Sequence, residues 1–373
     1  MNISQCRTPN MDVACNRFIK FDAFREYALG KMAADLVATG HYARTSPGPD
    51  GDGSKPVLLE AADANKDQTY FLCGVPSDGL AKVLFPLGGL TKPEVRNLAA
   101  EAGLPVAQKR ESMGVCFVGK RRSWADFISQ YITPTPEGNF VCADTGEIVG
   151  KHDGVQLYTV GQKSQLDGMP EKYYVAGLDG DTNSVIVARG KDNPALYARG
   201  LSVVASEFNW VAGSPPAGLV ADGDRHSGAE AGKTPAEAGG QVAGEQEASE
   251  DQRDNKPRKA AGAAKNARIR DGRVFEEGGA GEEVGGSFRC QYRCRHRQDL
   301  LPCTVEDASL TAPSAPQSRA VVSVRFDEPA KAIAPGQVVA LYKDGVCLGG
   351  GPIFRAYDHC APVLVRTPPT VSP

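Results

Sequence analysis

TPNMDVACNRFIKF, residues 8–21, is the stretch from which the rest of the chain is read. Asp12 stands three residues before Cys15, and Asn16, Arg17 and Lys20 follow it. A thiol near cationic groups ionises more readily, and the thiolate is the nucleophile. A second stretch, SMGVCFVG at residues 112–119, holds Cys116 behind a glycine-containing turn, with Lys109, Arg110, Lys120, Arg121 and Arg122 on its flanks. The two thiols are far apart in sequence and can meet only in the folded protein. Either they react as a pair, or both are buried small hydrophobes, a common fate of free cysteine. Spacing and neighbours leave both readings open.

Outward from this stretch, residues 19–32 place Ile19, Phe21, Phe24, Tyr27, Ala28 and Met32 at largely helical spacing, with Gly30 near the end. Residues 35–39 (DLVAT) read as a buried strand leading into a loop at Gly40 and His41. Residues 46–54 form a turn-rich loop, and residues 57–60 a short strand. An apolar segment begins at residues 69–73. Residues 92–102 predict a helix, with Thr91 as N-cap, Pro93 in the first turn and Gly103 past the end. This alternation implies an α/β sheet with helices on its faces. A helix over residues 124–131 then leads to a boundary at Pro134 and Pro136.

From Gly138 the pattern changes to short strands and turns, the signature of a small all-β module. A second β module begins at Leu201 and resumes at Phe288, with strands expected at residues 320–326, 338–342 and 346–348. Between its halves, residues 213–286 are rich in Gly, Ala, Glu and Lys without hydrophobic periodicity. Such a stretch buries too little apolar surface to offset its ordering entropy, so most of it is expected to be disordered. Its basic run DQRDNKPRKAAGAAKNARIRDGR reads as a solvated insertion, with RNA contact as the alternative. The expected division is an α/β domain with a helical extension over residues 1–132, a central β module over 133–195, and a C-terminal β-barrel module over 196–365 interrupted at 213–286.

At 373 residues, 41% hydrophobic and 23% charged, the composition is that of a globular protein of two or three domains. No apolar run approaches the ~20 residues of a membrane span, so no membrane partner is expected. The net charge of -3 means that any nucleic-acid contact must come from local basic patches. Ten cysteines without a regular framework favour a reducing compartment. The first ten residues resemble neither a signal sequence nor a transit peptide, so the compartment stays open: cytoplasmic, or mitochondrial, the latter if the source is eukaryotic. A zinc reading of Cys290, Cys294, His296 and Cys303 fits no common finger spacing, and no bound metal cofactor is expected.

NMDVAC resembles the N-P-D-x-x-C motif of tRNA-specific 2-thiouridylases, and ESMGVCFVG resembles their D-S-x-G-I-C-F-I-G. Between them, ATGHY at residues 38–42 and NKDQTYFL at 65–72 are similar to A-T-G-H-Y and K-D-Q-S-Y-F-L. TVGQK (159–163), PGQ (335–337) and CLGGG (347–351) follow in family order, and RHRQ (295–298) resembles R-Y-R-Q. The resemblance implies a Rossmann-like adenine nucleotide alpha-hydrolase domain followed by two small barrel-like β modules. It also implies a tRNA uridine 2-sulfurtransferase, which adenylates C2 of the wobble uridine with ATP, Mg2+ accompanying, and replaces the oxygen with sulfur. The partners it implies are tRNA and a persulfide donor, either a cysteine desulfurase or a relay protein.

Matched residue by residue, Cys116 resembles the persulfide bearer and Cys15 the resolving thiol, the two closing a redox disulfide. Asp12 resembles the carboxylate beside the target base; capping the turn before Cys15 is its alternative role. Asn10, Met11 and Asp12 match a base-contact triplet, with Met11 where the family has proline. Lys66, Asp67 and Gln68 match a tRNA-contact triplet, Gly40 a nucleotide-site glycine, and His41, Arg295, His296 and Gln337 further tRNA contacts. His296 stands where the family has a stacking tyrosine. The family's Gly-rich S-G-G-x-D-S loop, whose amides cradle pyrophosphate, occurs nowhere in the 373 residues. Met1 falls inside the family pattern, roughly ninety residues past its usual start for domains of typical size. The expectation is therefore a truncated nucleotide-binding domain. The alternative to an active thiouridylase is a non-catalytic tRNA-binding or sulfur-relay remnant.

Overall fold

Asn10 starts the first helix: its backbone is extended, and its side-chain oxygen accepts the Val13 amide at 3.2 Å. Satisfying that amide, which has no partner within the helix, is what an N-cap does. α1 (Met11–Cys15) passes without a break into a π-helical stretch (Asn16–Ala23) and then α2 (Phe24–Gly30). The helical spacing read from Ile19 onward is therefore the second half of a longer rod. Asn10, and not Asp12, caps the turn that carries Cys15.

The computed structural model describes residues 6–47, 55–109, 127–128, 130–132, 136–164, 166, 168–216, 269–270, 273–274, 287–307 and 320–360. Cys116 and its motif, half of the expected helix at 124–131, and most of the expected loop at 46–54 and insertion at 213–286 lie outside them.

After α2, β1 (Val37–Ala38) precedes β2 (Arg44–Ser46) and β3 (Val57–Leu59). Residues 69–73, left unassigned between helix and strand by their pattern, form α3 (Thr69–Leu72), followed by α4 (Ser77–Leu80) and β4 (Val83–Leu84). β1 and β4 pair in parallel. α5 (Lys92–Glu101) carries the capping box of Thr91 and Glu94 that its sequence announces.

The central module is a four-stranded sheet in the order β6-β5-β8-β7. Its strands are β5 (Gly138–Cys142), β6 (Ile148–His152), β7 (Tyr173–Asp179) and β8 (Ser184–Arg189). Phe140, Val155, Tyr173, Val175, Val185 and Val187 pack beneath it.

β9 (Tyr197–Val204) and β10 (Asn209–Trp210) open the last module. Within the stretch expected to be largely disordered, β11 (Ile269–Arg270) pairs with β12 (Arg273–Val274). β13 (Ser287–Arg293), β14 (Leu301–Asp307), β15 (Val321–Lys331), β16 (Val338–Lys343) and β17 (Val346–His359) complete the chain. The order β16-β13-β14-β15-β9-β17, with β17 also pairing β16, closes a six-stranded barrel. Closure leaves the ring itself without unpaired edges. Its interior holds Leu201, Val203, Tyr292, Val305, Val324, Val339, Leu341 and Ile353.

β2 and β3 join this barrel sheet, with Leu59 opposite Val346. A second core, including Val13, Phe21, Leu58, Tyr70, Leu72, Val338 and Tyr342, is shared between the N-terminal elements and the barrel wall. The N-terminal elements are thus not packed only on themselves: α1, the π-helical stretch, α3 and α4 each bring a residue to this core, while α2 and α5 bring none.

Candidate active site

The extended segment before α1 runs along the barrel rim. The Thr8 amide donates to Pro335 O at 2.9 Å, and Gln337 Nε2 donates to Thr8 O at 3.2 Å. The Thr8 and Thr159 hydroxyls lie 3.0 Å apart. Gly336 has φ 87°, and a Cβ there would stand 2.7 Å from the Thr8 nitrogen, so glycine is what lets the two chains pass. The PGQ, TVGQK and TPNMD stretches, distant in sequence, thus converge at one junction.

Asp12 and Cys15 are both half-buried, one turn apart on the same face of α1. Beyond them the helix widens to i→i+5 bonding, the Phe24 amide reaching Ile19 O. π-helical turns of this kind are rare and recur at functional sites. Asn16, noted in sequence only as a neighbour of Cys15, is 2% exposed, and its Nδ2 donates to Phe71 O at 3.0 Å. Burial pushes the Cys73 and Cys294 thiols up to about 12. They stay protonated and inert at neutral pH, unlike a thiol open to solvent.

The Lys66, Asp67 and Gln68 loop is built on a buried carboxylate. Asp67 is 2% exposed, takes the Ala61 amide at 3.1 Å and the Thr69 hydroxyl at 2.7 Å, and pairs with Arg293 Nη1 at 3.1 Å. Arg293 is itself buried, reaches Glu60 at 3.4 Å, and lies over the Tyr342 ring. Burial, then the Asp67 charge, raises the Glu60 pKa against Arg293 and Arg44. The Asp67 side chain is therefore committed to partners inside the protein. Gln68 Oε1 accepts the Tyr42 amide at 2.9 Å, tying this loop to Gly40 and His41.

Gly40 is exposed and follows β1. His41 packs between Phe21 and Phe85, and its Nδ1 meets Thr39 Oγ1 at 2.6 Å. Burial, helped by the Lys20 charge, lowers its pKa to about 4. The folded state thus favours neutral His41, so it contributes stability above the ordinary value near 6.5. That contribution is lost as pH falls from there to about 4, with no further change below. A histidine titration by NMR should show the His41 ring still neutral at pH 5.5; a midpoint near 6.5 for His41 would contradict the packing.

The RHRQ turn follows β13. His296 Nε2 meets Asp67 O at 3.1 Å, its ring lies against Phe71, and burial lowers its pKa. Arg295 is exposed and donates to Lys331 O and Ala332 O at 3.0 and 2.7 Å, while Arg297 is exposed at the turn. Cys290 and Cys303 face each other inside the barrel, Sγ to Sγ 3.6 Å. His296 Nε2 is turned to Asp67 O, away from these thiols. Among the described residues no group of three His, Cys, Asp or Glu side chains could hold a metal.

The candidate residues fall into three linked groups: Asn10 and Gln337 at the junction, the Lys66 to Gln68 loop tied to the segment after His41, and His296 against that loop, with Arg295 beside it reaching Lys331 O and Ala332 O. Sequence reading found these residues but not Tyr70, Asn16 or Arg293, which hold them together. Only the later partners of Tyr70 and Arg293, absent from any local pattern, would have revealed those roles.

The fold is that of a class of tRNA-modifying proteins. The tRNA methyl transferase HUP domain matches residues 2–120, the tRNA methyl transferase PRC-barrel domain residues 125–189, and the aminomethyltransferase beta-barrel domain residues 279–353. The Rossmann-like domain followed by two β modules expected from sequence is thereby confirmed. The tRNA-specific 2-thiouridylases MnmA of Yersinia pseudotuberculosis serotype O:1b (strain IP 31758) and Yersinia pestis (strain Pestoides F) are each 34% identical over 362 residues. Each alignment covers 95% of this chain and 74% of the relative. The chain belongs to the tRNA-specific 2-thiouridylase family. No helix among the described residues is long and apolar enough to cross a membrane.

Proposed function

We propose that this chain carries the sulfur-transfer and tRNA-holding parts of an ATP-dependent tRNA 2-thiouridylase acting on the wobble uridine, U34. The observation that carries the reading is the placement of Asp12 and Cys15, half-buried on one face of an α1 whose N-cap Asn10 meets Tyr70 and Gln337 of the barrel junction. In the reaction, the uridine C2 oxygen attacks the α-phosphate of ATP and pyrophosphate leaves. The terminal sulfur of a Cys116 persulfide then adds at C2. The Cys15 thiolate attacks the Cys116 sulfur, closing a Cys15–Cys116 disulfide and leaving the transferred sulfur on C2. AMP departs with the former C2 oxygen, and an external thiol reductant restores both cysteines. Asp12 orients the uracil or takes its proton.

On the nucleotide side, Gly40 offers a close backbone approach but no side-chain oxygen for Mg2+, and no step is derived through that ion. On the RNA side, Asn10, Met11 and Gln337 line the junction. Lys66, His41, Arg295 and His296 border it, and Asp67 acts by shaping the loop. The remnant reading draws on the missing S-G-G-x-D-S run. It retains RNA binding but gives Asp12 and Cys15 no chemical use.

The RNA-binding part is tested by changing Arg295 and Arg297 to Ala. Both are exposed cations, so affinity should fall across many tRNAs, and the slope of log affinity against log salt should flatten by about one to two. Loss confined to one tRNA species would contradict a phosphate-holding role.

A further inference from the structure

Tyr70 is 1% exposed, yet its hydroxyl is the meeting point of three polar groups. It lies 2.9 Å from Cys294 O, 3.1 Å from Val338 O and 3.3 Å from Asn10 Nδ2. A phenol has one hydrogen, so it donates to one barrel carbonyl at a time while its oxygen accepts the Asn10 N–H. Burial pushes its pKa far above the ordinary range, so the hydroxyl remains a donor at any working pH. Asn10 Nδ2 also points to Gln337 Oε1 at 3.5 Å. These two contacts fix which way the amide faces, and so aim its oxygen at Val13 N. The far end of α1 is held by the next residue of α3, because Asn16 Nδ2 donates to Phe71 O. Cys15 and Asp12 lie between these two clamps.

We propose that Tyr70 is a positioning residue for Cys15, acting through Asn10: its hydroxyl ties the N-cap of the cysteine-bearing helix to the barrel wall. The tether is geometric and stands whatever reaction Cys15 performs. Only its consequence for sulfur transfer rests on the proposed function. Without the tether the first turn of α1 keeps its sequence but loses its anchor, and Cys15 samples more open positions.

The test is the alkylation rate of Cys15 by iodoacetamide in the native 373-residue chain, read peptide by peptide by mass spectrometry. Asn10→Ser keeps a capping oxygen but removes the N–H that reaches Tyr70, and Tyr70→Phe removes the hydroxyl. Each should raise the Cys15 rate by roughly fivefold, the local-opening equivalent of one lost buried hydrogen bond. Cys73 and Cys347, both buried, should stay protected. The double variant should be no faster than the faster single one, since both remove the same bond. An unchanged Cys15 rate in Asn10→Ser, or rates that multiply in the double variant, would overturn the proposal. If Tyr70→Phe opens the core, rapid alkylation of Cys73 reveals it and the Asn10→Ser arm decides alone, because Asn10 is only half-buried. A chain inactive in thiolation would leave these rates as informative as before.

Discussion

Replacing either Cys15 or Cys116 by Ser is expected to cut 2-thiouridine formation by roughly 10³-fold or more in a form of the protein able to adenylate tRNA. Serine cannot carry a persulfide sulfur, nor close a disulfide to release it. Affinity for tRNA should stay within about twofold, because neither thiol is asked to hold phosphate. The wild-type protein, quenched after one turnover and digested without reductant, should yield a peptide pair joined through Cys15 and Cys116. Joining requires their Cα atoms to come within ~7 Å in at least one conformation. Full activity of either serine variant would remove the paired roles. So would a digest that never contains the linked peptide.

The second large effect concerns stability. Arg293 and Asp67 form an ion pair whose side chains are 9% and 2% exposed, with Glu60 alongside. Arg293→Ala leaves the Asp67 carboxylate buried without its cation, beside a second acid whose pKa burial already raises. Breaking such a pair from one side costs about 3–5 kcal/mol, mostly the penalty of the orphaned charge. Urea unfolding should show that loss. Asp67→Asn combined with Arg293→Met should be more stable than Arg293→Ala alone, since no full charge is then stranded at position 67. Equal stability of wild type and Arg293→Ala would mean that the Lys66 to Gln68 loop does not depend on this pair.

The family motifs and the fold class were legible in the sequence, and so was α5, whose Thr91, Pro93 and Glu94 all point the same way. What was not legible depends on partners far along the chain. Lys66, Asp67 and Gln68 look like a solvated charged turn until Arg293, 226 residues from Asp67, is placed against them. The start of α1 was missed because apolar spacing begins late, while the cap that sets it is a single asparagine. A strand was expected only over residues 346–348. It continues to His359 because Gly350 and Gly351 let it pass tightly against Cys73 and Val203. The joining of β2 and β3 to the barrel is a matter of register between distant strands, which no local pattern encodes.

The central claim is that this chain supplies sulfur transfer to a tRNA uridine that an ATP site must first activate. The 373 residues contain no S-G-G-x-D-S run. The β1–β4 pair is a two-residue parallel ribbon, with Ile19, Tyr27, Met32, Leu36 and Leu84 exposed among the N-terminal elements. Parallel sheets are ordinarily wider and covered on both faces. The test supplies an α/β segment bearing the phosphate loop, in cis or as a separate polypeptide. The decisive measurement is 2-thiouridine in tRNA incubated with ATP and a persulfide donor, quantified by nucleoside mass spectrometry, for residues 1–373 with and without that segment. The expected result is none from residues 1–373 alone, and formation dependent on Cys15 and Cys116 when the segment is present. Thiolation by residues 1–373 alone, or none in either case, would contradict it.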